Sequence, residues 1–567
     1  MDIRSTPLIS KLKNTIPLHP YYSAISLYTA LDALVFGLHQ LFLGMNDYCL
    51  GYAGNFSFFS WSLAWWKYCL ISGINPFYSN YIWSPTGVSL AWNALLSPTY
   101  GILSIPFQYI ANPATIANII LLAQPLLSSF AAFALCYKLT KSTSGSIFGG
   151  YIFGFSTYML AEASESLPNN MTTFIIPFMA LLCYMFYVNE ISKLKFYVLT
   201  SLLLIAQAGV FLEILLSGSI VTAITLVAFY AFNIGGCRPK ILTMAAILFG
   251  SYLTTAVIIS PMLYEMLVNN YYGGTKFGWN GVSVVSLVVP VGVNIFYNPN
   301  LLEKTWSMGP AFVSGYISIP LAAFVIYFIF SRRFKQYNIL KLLFLIFLLI
   351  SLGRALHFVP EDWRSGTILL PWSLTKHIPI LKDVQPHRFF IYCDLLLSIM
   401  FAYYTKQIKW KYLYVFYAVV FIALLPNIGG LQNNIYIPKF IYNKQYTKYI
   451  EQGSNVLFVS SDGYSDGMLY QAISNFYFRI PQGITQGPGT TPPNYQLGNA
   501  IQIWQKNSYA ATLHRYIDIH GVEYIVITGH SDILIRKIEP LCLSIRRVDG
   551  VVVCRTKYSK RDLYAVL

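Results

Sequence analysis

Eight cations fall in loops that hydropathy places on one side of a membrane: Lys67, Lys276, Lys304, Arg354, Arg364, Lys376, Lys382 and Arg388. Cations are usually sparse on that side, yet five of the eight lie between 353 and 388. A guanidinium is a planar fork that matches phosphate oxygens. The cluster therefore reads as a phosphate or pyrophosphate site at the outer membrane interface, with Arg354 and Arg388 at the ends of two spans to grip it. The alternative is pairing with Glu361, Asp362 and Asp383 of the same loop, or with lipid headgroups. In Pro386-His387-Arg388-Phe389 the Arg388 guanidinium falls where a lipid phosphate would lie, with His387 lining the same cavity. Transfer at such a phosphate needs a carboxylate to deprotonate an acceptor hydroxyl. Asp47 is the only acid in the first outward region, 45–112, and is the leading candidate base; the plainer reading is a solvated loop aspartate. Glu162, Glu165 and Glu213 fall at the same face, and each suits a base, a metal ligand or an ion-pair partner.

These residues must be held by helices. Of 567 residues, 56% are hydrophobic and 11% charged, whereas a soluble domain has about 25% charged residues. The net charge of +16 sits mostly in short loops between apolar segments, where it sets topology; this argues against a nucleic-acid partner. Eleven apolar segments are near the roughly 20 residues a spanning helix needs: 24–44, 113–137, 146–161, 170–187, 196–212, 214–234, 241–263, 312–331, 338–353, 387–405 and 411–426. With the N-terminus cytoplasmic, the basic clusters at Lys138/Lys141, Lys193/Lys195, Arg238/Lys240, Arg332/Arg333 and Lys406/Lys409 all land inside. The first segment has a basic leader and no small-residue cleavage site after it, so it reads as a retained helix. Ser97 to Ala111, punctuated by Pro98 and Pro106, reads as an interfacial or re-entrant helix. Phe56 to Leu70 reads likewise, with Trp61, Trp65 and Trp66 at headgroup level. Asp32 and Asp394 fall within spans and should face the bundle interior with polar partners.

After about 428 the character changes. VLFVS (456–460), VEYIVIT (522–528), CLSIRRV and VVVCR read as strands, the last two flanking a turn at Asp549-Gly550. Residues 429–567 thus form an expected extracytoplasmic α/β domain behind a transmembrane domain, 1–428. The stretch Pro481 to Tyr495 reads as a loop able to fold over a neighbouring surface. Of the eight cysteines, Cys136, Cys183, Cys237 and Cys393 read as packing residues. Cys49/Cys69 and Cys542/Cys554 are the candidate disulfides, and hairpin register, with Cys554 opposite Ile545, weighs against the second.

The most specific motifs are Gly54-Asn55 through Trp61, Leu63, Trp65 and Trp66, then Gly73-Ile74-Asn75-Pro76-Phe77, Trp83-Ser84-Pro85-Thr86-Gly87 and Leu90-Ala91-Trp92-Asn93. With Gly149-Gly150, Leu370-Pro371-Trp372, Pro386 to Phe389 and Gly467-Met468 with Gln471, they make the chain resemble the GT-C superfamily, the integral membrane glycosyltransferases that use polyprenyl-phosphate sugars, and within it an uncharacterised bacterial group. The apolar segments give an α-helical polytopic membrane protein of about 11 spans, read as lying in a bacterial inner membrane, and the resemblance implies a large first outward loop with two interfacial helices. It also implies an outward cavity, an acid in the first loop acting as base, often with a divalent cation (Mg or Mn), and basic residues for the donor phosphate. Asp47 can take the first role, and Arg388 with Arg354 or Lys382 the last; the acceptor would be a glycan, a lipid or a protein. Relatives tend to show Gly-Asp where this chain has Gly54-Asn55, and an amide is no general base near neutral pH. They also tend to carry a His after the third span, which Glu162 to Asn170 lacks. A lipid-linked-saccharide transporter and a catalytically inactive scaffold are the rival readings.

Overall fold

The computed structural model describes residues 19–37, 47–233, 236–268, 281–297, 315–358, 368–378, 381–407, 413–460, 466–483, 509–529 and 532–557. Among them six helices are long and apolar enough to cross a membrane: Pro113–Thr140, Pro168–Tyr187, Leu212–Phe232, Arg238–Ile258, Arg332–Ser351 and Pro386–Gln407. Two shorter apolar helices are Ile319–Phe330 and Leu413–Ala423. All eight coincide with expected spans. The other three expected spans are helical where described, two of them shorter or broken and the first, 24–44, described only as far as Gly37. Pro20–Asp32 passes into a π-helical turn, Ala33–Gly37. Thr143–Gly154 stops before Ser156, whose hydroxyl caps the next helix, Thr157–Ser164, by accepting from Met159 N. Lys193–Ala208 has 16 residues.

Local chemistry explains these helices. Pro113–Thr140 starts at a Pro, which has no N–H to leave unsatisfied, and Asn112 caps it by accepting from Thr115 N. Thr143–Gly154 lies close against Pro113–Thr140 and the helix Phe390–Gln407 because its contact residues are small. A Cβ at Gly149 would meet Cys136 Sγ and the Ser398 carbonyl at 3.1 Å, so a side chain there forces the helices apart. Asp394 is buried in Phe390–Gln407 and hydrogen-bonds Ser156, the polar partner expected. Asp32 is also buried, but its Oδ1 has no partner among the described residues.

The first loop and the C-terminal lobe are joined. Strand β1 (Tyr48–Leu50) leads to the helix Ala53–Ser72 and the short pair β2 (Tyr78–Ser79) and β3 (Val88–Ser89). Strand β4 (Gln432–Asn434), after the last apolar helix, pairs antiparallel with β1, Tyr48 opposite Asn434 and Leu50 opposite Gln432. The lobe holds a four-stranded sheet of β5 (Val456–Ser460), β6 (Tyr524–Thr528), β7 (Cys542–Val548) and β8 (Val551–Thr556) in the order β5-β6-β8-β7, with β5 and β6 parallel and the other pairs antiparallel. The helices Gly467–Ile473, Tyr509–His520 and Asp532–Ile538 accompany it.

Two sequence expectations are corrected. Trp61, Trp65 and Trp66 do not present their rings to lipid headgroups: they are buried in protein, Trp61 at 0% exposure, where Ala53–Ser72 packs under the lobe. Trp61 Nε1 donates to Gln471 Oε1 at 2.6 Å, and Phe476 packs edge-on to Trp61 and Trp65. Aromatic spacing alone does not distinguish lipid headgroups from a protein cover. Helix Pro98–Ser104 and the turn after it do leave Ile102, Leu103, Phe107 and Ile110 exposed, as an interfacial segment requires. The second correction concerns the cysteines. Cys554 does sit opposite Ile545, yet it is bonded to Cys542, with Cα atoms 5.6 Å apart. A register shift between Cys542 and Ser544 brings the two together. Cys49 and Cys69 are not paired: both are buried thiols, and Cys49 Sγ donates to the Gly51 carbonyl. Most of Pro481 to Tyr495 lies outside the described residues.

Candidate active site

The turn Pro386–Phe389 sets Arg388 at the head of Phe390–Gln407. Glu213 stands in the first turn of Leu212–Phe232, where a carboxylate complements the helix N-terminus. Arg388 Nη1 and Glu213 Oε2 form an ion pair, with side chains 12% and 17% exposed. Glu213 Oε1 accepts from Gln385 N at 2.9 Å, so one carboxylate holds both the turn and its arginine. The guanidinium also lies 5.3 Å from the Phe211 ring centroid.

Glu162, on Thr157–Ser164, faces this pair. It is fully buried, and Asn170 Nδ2 donates to its Oε2 at 2.7 Å. Burial pushes its carboxyl up to about 7; Arg388 and Asn170 pull it down, while Glu213 and Glu165 push it further up. Tyr158, one turn earlier on the same helix, is buried within electrostatic reach of Glu162, Arg388 and Glu213. His387 is buried beside Arg388.

A second group of acids surrounds β1. Asp47 is exposed; its backbone carbonyl accepts from Ile435 N at 2.9 Å, and its carboxylate has no hydrogen bond or ion pair among the described residues. Asn55 Nδ2 donates to the Glu165 carbonyl at 2.7 Å, so this amide fixes the turn after Thr157–Ser164. Glu165 is half-buried, and burial raises its carboxyl. Asp466, from the lobe, is buried; Ser57 Oγ donates to its Oδ1 at 2.9 Å and the Tyr436 backbone also bonds it. Burial pushes Asp466 up to about 6 against those two bonds. The two groups meet through Ser166, whose hydroxyl donates to the Leu50 carbonyl. Gly51, at φ +79°, passes so close to the Ala163 carbonyl that no side chain fits.

The expected phosphate cations are placed differently from one another. Arg388 takes its partner from another helix; Glu361, Asp362, Arg364, Lys276 and Lys304 lie outside the described residues, as does the Asp383 side chain. Arg354 is buried, and its Nη2 donates to the Lys382 carbonyl at 2.8 Å, pinning the turn Leu381–Asp383 and leaving the Lys382 side chain exposed. Lys67 serves the first loop, donating to the Gln108 carbonyl and lying over the Tyr109 ring. The described residues do not assemble a divalent-cation site. Among the described residues no three His, Cys, Asp or Glu side chains converge, and beside Glu162 and Glu213 the Arg388 charge repels a cation. Sequence reasoning missed Tyr158, Asn170, Ser57 and Asp466. Tyr158 was recoverable from its i, i+4 spacing to Glu162, and Asp466 from its place next to Gly467-Met468.

No family model and no curated protein matches the sequence. Solved structures do. The mycobacterial arabinofuranosyltransferase AftD aligns at a TM-score of 0.59 and 11% identity over 97% of this chain and 42% of that one, so the chain spans less than half of AftD's length. The Archaeoglobus fulgidus oligosaccharyltransferase, solved with Zn and sulfate, aligns at 0.44 and 11% identity over 85% of this chain and 64% of that one. ArnT from Cupriavidus metallidurans, bound to undecaprenyl phosphate, aligns at 0.39 and 10% identity over 94% and 97%. The AftD alignment covers nearly the whole chain, membrane helices and lobe together. The likeness to AftD, at 11% identity, shows that the chain shares the fold of that integral membrane glycosyltransferase.

Proposed function

We propose that this chain transfers a sugar from a polyprenyl-phosphate donor to an acceptor hydroxyl on the outer face of a bacterial inner membrane. The observation that carries this reading is Arg388: a largely buried guanidinium at the head of a membrane helix, held by Glu213 and facing Glu162 and Tyr158. Asp47, exposed at the start of β1, takes the proton of the acceptor hydroxyl. The acceptor oxygen then bonds the anomeric carbon, and the bond from that carbon to the phosphate oxygen breaks, its electron pair leaving with the phosphate. Arg388 lies where that charge develops, and Arg354 shapes the turn that presents Lys382. The lobe covers the first loop and bounds the acceptor side, whether the acceptor is a glycan, a lipid or a protein.

A second reading, an inactive scaffold, draws on Asn55, which is engaged in holding the Glu165 carbonyl and cannot act as a base. Membranes containing the chain, supplied with labelled polyprenyl-phosphate sugars, separate the readings. Labelled acceptor that depends on Asp47, with Asp47→Asn lowering kcat at least 100-fold, supports transfer. Label that only crosses the bilayer supports the transporter, and no change in the label supports the scaffold.

A further inference from the structure

Three polar atoms at the head of Phe390–Gln407 have no hydrogen-bond partner among the described residues: Glu162 Oε1, Tyr158 OH and Arg388 Nε. Glu162 and Tyr158 are fully buried, and their i, i+4 spacing puts them on one helix face. Glu162 Oε2 is committed to Asn170 and Arg388 Nη1 to Glu213. The charges decide what fits there. Arg388 and Glu213 cancel, so an ionised Glu162 leaves the cluster negative and hostile to an anion. A protonated Glu162 leaves it neutral, with a carboxyl O–H, a phenol O–H and a guanidinium N–H each lacking an acceptor among the described residues. A phosphate is a ligand that only accepts.

We propose that protonated Glu162 and Tyr158 donate hydrogen bonds to the donor's phosphate beside Arg388, so that the phosphate enters this site together with a proton. The proposal rests on the assignment of the Arg388 site to a polyprenyl-phosphate donor. The titration of Glu162 near 7 agrees with it: Arg388 and Asn170 favour the carboxylate, whereas burial, Glu213 and Glu165 favour the acid. Tyr158 is the titratable group on Glu162's own helix.

The test is equilibrium binding of polyprenyl phosphate, without sugar, to the purified full chain in lipid nanodiscs between pH 6 and 9. Wild-type affinity falls about tenfold per pH unit above about pH 7, relative to Glu162→Gln, because one proton is linked to binding. Glu162→Gln binds without that slope, since its amide N–H donates at every pH. Tyr158→Phe binds more weakly at all pH values and keeps the slope. The ligand's own ionisation is common to all variants and drops out of the comparison. If Glu162→Gln does not accumulate, proton uptake by weakly buffered wild type replaces it; about one proton per phosphate at pH 8 is expected, and none overturns the proposal. Identical wild-type and Glu162→Gln curves overturn it while leaving the phosphate site standing. No binding to any variant at any pH overturns the site assignment itself.

Discussion

Replacing Arg388 by Met keeps most of the apolar stem and removes the charge, which leaves the Glu213 and Glu162 carboxyls packed together without a cation. Removing one member of a buried ion pair costs about 3–5 kcal/mol, against a total stability of about 5–15 kcal/mol for a typical domain. The Arg388 and Glu213 side chains are 12% and 17% exposed, so solvent offsets little of that cost. In Arg388→Met/Glu213→Gln the stranded carboxylate is gone, and the amide oxygen still accepts from Gln385 N. The double variant therefore recovers about 1–3 kcal/mol of the loss, the coupling expected of residues in contact. Intrinsic tryptophan fluorescence during thermal unfolding in lipid nanodiscs reads this as a deep fall in Tm for the single variant and a shallower one for the double. Transfer stays absent in both, because the guanidinium is missing from both. Equal destabilisation of the two, or a loss below about 0.5 kcal/mol in Arg388→Met, would refute the reasoning.

Other consequences follow from particular contacts. Trp61→Ala empties a fully buried site and strands Gln471 Oε1, costing about 3–5 kcal/mol; limited proteolysis should then cut between the apolar helices and the lobe far sooner than in wild type. The Asp466 carboxyl is raised by burial, so its contribution to lobe docking is fully present below about pH 4 and is lost as pH rises through about 6. Hydrogen exchange in the helix Gly467–Ile473 should accordingly speed up from pH 5 to pH 7 beyond the intrinsic rate, and Asp466→Asn should flatten that change. Reduction of Cys542–Cys554, which closes a short loop at the edge of the sheet, costs about 2–3 kcal/mol and loosens β7 and β8 without altering turnover. Amide protection in Cys542–Val548 before and after reductant checks it.

Hydropathy and loop charge located the helices because each apolar segment carries its own signal. Among the described residues six helices meet length and composition, and the expected span 146–161 is not one of them because Gly154 and Ser156 end a helix inside its apolar run. The strands of the lobe were legible from alternating and β-branched residues, with VLFVS falling on β5. The site was only partly legible. Arg388 stood out because a cation at the mouth of a span is unusual, but its partner Glu213 lies 175 residues earlier, and no local pattern joins them. Asp466 reaches Ser57 across 409 residues, a pairing made only by the docking of the lobe on the first loop. The tryptophans of Ala53–Ser72 were misplaced for the same reason: their cover comes from Gln471 and Phe476, distant in the chain.

β1 pairs with β4, and Trp61 bonds Gln471, so the first loop and the lobe share one compartment. The most direct test combines that compartment with the chemistry. Purified chain is reconstituted into vesicles and sorted by whether a tag after Leu567 is accessible, then given labelled polyprenyl-phosphate sugar and an acceptor outside. Product in the tag-accessible vesicles, and its absence from the same vesicles carrying Arg388→Ala, is the predicted result. Product only where the tag is enclosed, or equal product with Arg388→Ala, contradicts the account.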